Sequence, residues 1–356
     1  MAVNGSHATS PAPSPGRTGH AGPLLLVLRA LGLGDLLTAV PALRGLRRAH
    51  PDHSMVVLTP QSLAPIAMAC GADRVEHTAG LGRLPDAADG ADVAVNLHGR
   101  GPRSSRRLLE CSPATLLAHR HPDLAATWTG PLWQPDDHET VRWCRLLQHY
   151  GIAADPSDLA LDPPPGPALV PPETIVVHPG AGATGRRWPV ERFAAVIGRL
   201  LADGHTVALT GSDDERALCR DLSRRAGGDV VDLSGRTSIE QLCGVVAAAG
   251  AVLSNDTGVA HLAVAFHTRS LVLFGPSSPA VWGPPAGARI HRTLWSGMSG
   301  DPHASALDPG LDLIGVHDVM DALHELLSEP AQGPTPLDHA HDHDLGSETS
   351  SHVRPR

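Results

Sequence analysis

The sequence predicts an α/β protein of two halves, each a parallel sheet with helices on both faces. Three observations carry this. Short, wholly apolar runs alternate with helical patterns along both halves, and strands apolar on both sides belong to parallel sheets buried under helices. The 356 residues exceed one ordinary core and suit two. Between the halves, residues 163–173 hold Pro163, Pro164, Pro165, Pro167, Pro171 and Pro172, a run that cannot continue a helix or a central strand and reads as a semi-rigid linker.

The elements follow in order. Residues 1–22 are rich in Ser, Pro, Gly and Ala without periodicity and read as a disordered leader. The first domain, 23–162, opens on the apolar run 24–28, a buried strand. A helix is expected over 35–48, with Leu36, Val40, Leu43 and Leu46 on one face and Pro41 kinking it or delaying its start. Further strands are expected at 55–58 and 92–96. In the second domain, 174–329, strands are expected at 174–178, 205–210, 229–233, 251–255 and 270–274. Helices at 190–202, 213–226, 238–249 and 257–266 separate them. Residues 330–356 read as a solvated, disordered tail, although its run of His339, His341, Asp342, His343 and Asp344 could hold a transition metal loosely.

Composition narrows the function. Apolar residues at 42% and charged residues at 18% fit a globular protein. Aromatics at 3% and a net charge of -9 argue against nucleic acid, which needs stacking platforms and positive charge, so any phosphate site must be local. Five cysteines without a CxxC read as reduced core thiols of a cytosolic protein. No apolar run approaches the ~20 residues of a membrane span. The run 23–28 is broken by Arg29 and reads as a strand and not as the core of a signal peptide.

In a doubly wound sheet, ligands bind beyond the carboxyl ends of the strands, and four unusual segments fall there. The first runs from Arg29 to Asp35, with Gly32 and Gly34 in a tight turn. Asp35 there is either a helix cap or a reactive carboxylate. It is not a dinucleotide fingerprint, because Leu37 stands where a third glycine would. The second, 177–189, sets Gly180, Gly182 and Gly185 beside Arg186 and Arg187. Such a loop suits phosphate, and its structural alternative is a surface loop with solvated arginines. The third, 254–261, opens a helix with Asp256, Thr257 and Gly258, leaving N–H groups free for an anion, with His261 a turn further on. Asp256 is a possible cap, and a lone helical His is more often structural. The fourth, 211–215, ends in Glu215, which either holds ribose hydroxyls or complements a helix start capped by Asp213 or Asp214.

Together these segments resemble glycosyltransferase family 9, the heptosyltransferases. The markers are GLGDLLTAVPALRGLRR, VHPGAGATGRRWPVERFAAV, GSDDE, LSGRTSIEQL, SNDTGVAHLAVAF and LFGPSSPAVWGP, across roughly residues 23–285. The resemblance implies a GT-B fold, two Rossmann-like domains facing a central cleft. It implies an inverting, metal-independent transfer of a heptose-like sugar from a nucleotide-diphosphate donor, first of all ADP-heptose, to a hydroxyl of a glycan or lipid-linked acceptor, without a cofactor. Such an enzyme would be cytoplasmic and at most peripheral to the membrane. By match, Asp35 is the general base, Arg186 contacts the donor phosphates (where many members have Lys), and Glu215 binds ribose. Asp256, Thr257, Gly258 and His261 surround diphosphate and sugar, with Gly34, Gly180 and Arg187 as supporting loop residues. A nucleotide-sugar epimerase and a non-catalytic sugar-nucleotide binder remain the alternatives. Between Gly99 and Trp133 no motif identifies the acceptor; Arg100, Arg103, Arg106 and Arg107 read as a solvated helix face or a contact for an acidic acceptor.

Overall fold

The computed structural model describes residues 22–124 and 129–329. The expected leader, but for Gly22, and the expected tail with its His/Asp run lie outside them. Two wholly parallel sheets are present. The first has the order β3-β2-β1-β4-β5, from β1 (Leu24–Leu28), β2 (Ser54–Thr59), β3 (Arg74–His77), β4 (Val93–Asn96) and β5 (Thr115–Leu117). The second has the order β11-β10-β9-β6-β7-β8, from β6 (Ile175–His178), β7 (Val207–Leu209), β8 (Val230–Asp232), β9 (Ala251–Asn255), β10 (Ser270–Leu273) and β11 (His291–Leu294). In each, the chain starts in the middle, winds to one edge, returns beside its first strand and winds the other way. That is the doubly wound order, and its switch points lie between β1 and β4 and between β6 and β9.

The strands form where the residues are apolar on both faces: β1 is buried at all five positions and pairs Leu25 with Met55 on one side and with Val93 on the other. Helices α1 (Leu33–Thr38), α2 (Val40–Ala49), α3 (Ala64–Ala69), α4 (Arg103–Glu110) and α5 (Glu139–His149) accompany the first sheet. Helices α6 (Val190–Ala202), α7 (Arg216–Ala226), α8 (Ile239–Ala248), α9 (Gly258–Ala265), the short α10 (Pro279–Trp282) and α11 (Pro309–Asp312), and α12 (Val316–Ser328) accompany the second. Residues 163–173 carry neither helix nor strand.

Pro41 interrupts the expected first helix, as its place in the pattern implied. It stands in the first turn of α2, and the segment divides at Ala39 into two helices. The expected 213–226 helix opens with a single 3₁₀ turn, Asp213–Glu215. Strands β3, β5 and β11 had no sequence expectation. They are short edge strands of mixed exposure, RVEH, TLL and HRTL, and lack the apolar run that marks a central strand.

All five cysteines are buried and free. Burial pushes the thiols of Cys70, Cys144, Cys219 and Cys243 up to about 12 and that of Cys111 to about 11, so they stay protonated and inert.

Helix α9 joins the two halves. Its sequence, GVAHLAVA, is apolar on every side except at His261, the pattern of a helix covered all round. One continuous apolar cluster runs from Leu25 and Val27 of the first sheet, through Leu36 and Val40, to Leu262 and Ala263 of α9 and Val252 of the second sheet. The contact between the halves is close. A methyl group on Gly34 would lie 2.9 Å from His261 Cδ2 and 3.3 Å from Gly258 Cα, and one on Gly258 would lie 2.8 Å from Leu33 Cβ. Here glycine is required by the approach of two backbones.

Candidate active site

Three of the four sequence segments stand at the two switch points, and the fourth, after β7, adjoins the loop after β6. On the first sheet, the chain leaves β1 at Arg29, which is 1% exposed. Its guanidinium turns back under the loop. Nε donates to the Asp35 carbonyl at 2.8 Å, Nη1 donates to the Leu97 carbonyl, and Nη2 donates to Thr38 Oγ1 and Glu139 Oε1, each at 3.2 Å. Asp35 is the third residue of α1, and Gly32 is the capping position. Its Oδ2 accepts the Gly32 N–H at 3.2 Å, while Oδ1 lies 3.5 Å from Arg29 Nη2. The expectation that Asp35 itself caps the helix is therefore corrected: it reaches back to the cap from the first turn. Its side chain keeps 29% exposure. Burial pushes its carboxyl above the usual range, against the pull of Arg29, and the Glu139 charge pushes the same way.

On the second sheet, the loop after β6 is tied down from several directions. Asn255, at the end of β9, donates to the carbonyls of Pro179 and Gly180 at 2.8 and 3.3 Å and accepts the Trp188 N–H at 3.1 Å. Arg187 donates twice to the Ala181 carbonyl, at 3.0 and 2.8 Å, so its charge folds the loop onto itself. Arg186 is different. Nη1 lies 3.6 Å from Asp256 Oδ2, its side chain is 25% exposed, and Nε is buried without a hydrogen-bond partner. Burial pushes the Asp256 carboxyl up, while Arg186 and the Ser277 hydroxyl pull it down.

Thr257 is the extended residue that precedes α9, and its side chain makes no capping hydrogen bond. Asp256 does not cap this helix, contrary to one expectation. The first N–H groups of α9 are left without a side-chain acceptor, next to Leu33 and Gly34. His261 lies against Gly34 and meets the Trp282 ring edge-on at 6.3 Å. Burial lowers it to about 4, so it is neutral near pH 7.

Ser212, and not Asp213 or Asp214, is the capping position of this helix, and Glu215 reaches back to it from the first turn: its Oε2 accepts the Ser212 N–H at 2.7 Å. Its other oxygen lies over Gly180, and its carboxylate is 3.9 Å from His178 Nε2. A methyl on Gly180 would fall 1.8 Å from Glu215 Oε1. Gly180→Ala should therefore displace the Glu215 carboxylate and lower stability by about 1–3 kcal/mol, read as a shifted midpoint in urea unfolding.

Thus Gly34, Gly258 and His261 meet directly with Asp35 next to Gly34 in the chain, Asp256 and Arg186 join them from the β9 end, and Glu215 and Gly180 adjoin the loop after β6. Sequence reasoning missed Glu139, His138 and Ser277. Glu139 and Trp143 stand four residues apart on one helix face, and a charged residue sharing the apolar stripe of a helix was the available signal. His138 spans the two halves, with Nε2 2.9 Å from the Gly283 carbonyl. Among the described residues no cluster of three His, Cys, Asp or Glu could hold a metal.

The low value of His261 has a sign that can be checked. The unfolded chain, with an ordinary His near 6.5, takes up this proton before the folded chain does. Stability should therefore fall as pH drops from about 6.5 to about 4, and His261→Asn should flatten that acid slope in a series of urea titrations. Asp35 and Asp256, raised by burial, act in the opposite sense.

Comparison with known proteins bears on the fold and the family. Residues 145–300 match the family model described as glycosyltransferase family 9 (heptosyltransferase). Lipopolysaccharide heptosyltransferase 2 of Salmonella typhimurium is 30% identical over 165 residues, 42% of this chain and 46% of the relative. Lipopolysaccharide heptosyltransferase 3 of Escherichia coli is 28% identical over 168 residues, 45% of this chain and 48% of the relative. The chain thus aligns with less than half the length of either. Among solved structures, the glycosyl transferase family 9 protein of Veillonella parvula superposes with a TM-score of 0.72 at 18% identity, over 86% of this chain and 97% of that one. The ADP-heptose lipopolysaccharide heptosyltransferase II of E. coli gives 0.65 at 19%, over 85% and 98%. An E. coli heptosyltransferase determined with ADP gives 0.64 at 18%, over 85% and 99%. At such identities the likeness is one of fold, and the fold is GT-B, as the sequence resemblance implied. No helix among the described residues is long and apolar enough to cross a membrane.

Proposed function

We propose, from the premise that this chain is a family 9, heptosyltransferase-like protein of GT-B fold, that it transfers a heptose-like sugar from ADP-heptose to a hydroxyl of a lipopolysaccharide-type acceptor. One observation carries the reading: a partly exposed carboxylate, Asp35, stands at one switch point directly after Gly34, which packs against the uncapped start of α9 at the other.

The chemistry is a single displacement with inversion. The acceptor hydroxyl attacks the anomeric carbon from the side away from the diphosphate, and Asp35 takes its proton. The bond from the anomeric carbon to the diphosphate oxygen breaks, and ADP leaves with the bonding electrons. Arg186, whose Nε has no internal partner, and the N–H groups opening α9 receive the charge that develops there. In this reading the step needs no metal or cofactor. Neutral His261 positions the sugar, and Glu215 meets the ribose from the rim of the Gly180 loop. The division into 23–162 and 174–329, a cytoplasmic location and, at most, a peripheral membrane contact belong to the same proposal.

A thermal-shift panel tests the donor half. ADP at a hundredfold excess over its dissociation constant should add about 2.7 kcal/mol of stability, with ADP-heptose at least as effective and UDP and GDP weaker. Equal shifts from UDP would argue against an adenine donor. Conversion of the sugar without an acceptor would favour an epimerase.

A further inference from the structure

Beneath Asp35 lies a row of buried charges that neither the family markers nor the proposed reaction assigns. Arg29 is sandwiched under the β1 loop with its guanidinium carbon 4.7 Å from the Trp143 ring centroid. Its Nη2 is shared: Glu139 Oε1 at 3.2 Å, Thr38 Oγ1 at 3.2 Å, and Asp35 Oδ1 at the longer distance of 3.5 Å. Glu139 is in turn held on both oxygens. Oε1 also accepts the Trp143 indole N–H at 3.0 Å, and Oε2 accepts Arg142 Nε at 2.9 Å. Arg142 donates to the carbonyls of Gln134, Pro135 and Asp137 and stacks at 4.0 Å over the Trp133 ring. Every member of the row is fixed, and Arg29, Glu139 and Arg142 are each at most 6% exposed. Only its last member, Asp35, opens to the cleft.

We propose that Glu139 is a positioning residue for Asp35, acting through the buried Arg29 guanidinium. This rests on Asp35 being the base of the proposed transfer. Arg29 has two carboxylates within reach and lies closer to Glu139. Its charge is largely answered there, so Asp35 is left with a loose contact instead of a tight salt bridge. A carboxylate in a tight salt bridge is a poor proton acceptor; one whose counter-charge is occupied elsewhere keeps its proton affinity. The other titratable groups around Arg29 and Glu139 do not replace this effect. His261 on α9 is held neutral by burial, His138 at the start of α5 is turned to the Gly283 carbonyl, and His98 beyond β4, beside Arg29, is likewise lowered by burial to about 4. Arg142 reaches Asp35 only through Glu139.

The alternative is that Glu139 merely pins α5 to the sheet. Titration of Asp35 itself separates the two. Carboxyl-¹³C NMR of the full-length protein labelled at Asp, with Asp35→Asn identifying the resonance, reads the midpoint directly and needs no acceptor. Glu139→Gln should move that midpoint to lower pH, because Arg29 then answers Asp35 alone, and should cut ADP-heptose turnover at pH 7 about tenfold. Glu139→Asp draws the carboxylate back by one carbon and should shift the midpoint the same way by less, so it carries the test should Glu139→Gln not fold. Trp143→Phe keeps both charges, and should lower stability while leaving the midpoint in place. An unmoved midpoint in both Glu139 variants overturns the inference. Wild-type turnover by Asp35→Asn would instead overturn the proposed function on which it rests.

Discussion

Asp35→Asn should lower transfer from ADP-heptose by about 10²–10⁴-fold, the usual share of a positioned general base, with little change in thermal stability. The substitution is chosen for what it keeps. An amide oxygen still accepts the Gly32 N–H that Asp35 Oδ2 accepts now at 3.2 Å, so the first turn of α1 stays formed. The Arg29 contact is the looser one, at 3.5 Å, and Arg29 retains the Asp35 carbonyl, Thr38 and Glu139. What is lost is a site of negative charge able to take the acceptor proton. The loss should fall on kcat, with the donor KM nearly unchanged, because in the proposed reaction Asp35 meets the acceptor and not the diphosphate. A variant that retains activity within tenfold of the parent would remove Asp35 from the chemistry.

Arg186→Ala should reduce kcat/KM for the donor by about 10²–10³-fold, the range found when one donor to a developing oxyanion is removed. The charge of Arg186 is only partly answered inside the protein, by Asp256 at 3.6 Å, and its Nε has no partner, so a bound diphosphate would complete its contacts. The same deletion strands Asp256, which is 6% exposed. A stability loss of up to about 3–5 kcal/mol is expected, because the Ser277 hydroxyl is then the partner left to the buried carboxylate. Arg186→Lys separates the two effects, because it keeps the charge beside Asp256 but loses the two-pronged geometry. It should restore most of the stability and only part of the donor affinity, read by unfolding and by ADP calorimetry. Full affinity in Arg186→Ala/Asp256→Asn would contradict the assignment.

Much of this site was legible because its chemistry follows strand ends. The apolar runs at β1, β6 and β9 were visible as strands, and Asp35, Arg186, Asp256 and Thr257 lie in the short segments that follow β1, β6 and β9. His261 stood out because it is the single polar side chain of a helix otherwise apolar on every face. The split of the first helix was readable from Pro41. Caps were harder, since sequence gives residue type but not which carboxylate turns back. Asp213, Asp214 and Glu215 are adjacent, and only the fold shows that Glu215 takes the Ser212 N–H. The Arg29–Glu139 pair was not legible, because its members stand 110 residues apart and meet only when α5 packs beside the first sheet. Edge strands β3 and β11, mixed in exposure, left no periodic trace.

The most direct measurement is a crystal structure of the protein with unreacted ADP-heptose. Its diphosphate should lie within hydrogen-bond distance of Arg186 and of the N–H groups at Thr257 and Gly258, with the anomeric carbon turned toward Asp35 across the Gly34–Gly258 contact. A diphosphate seated away from the start of α9, or an Asp35 carboxylate shut off from the sugar, would contradict the account.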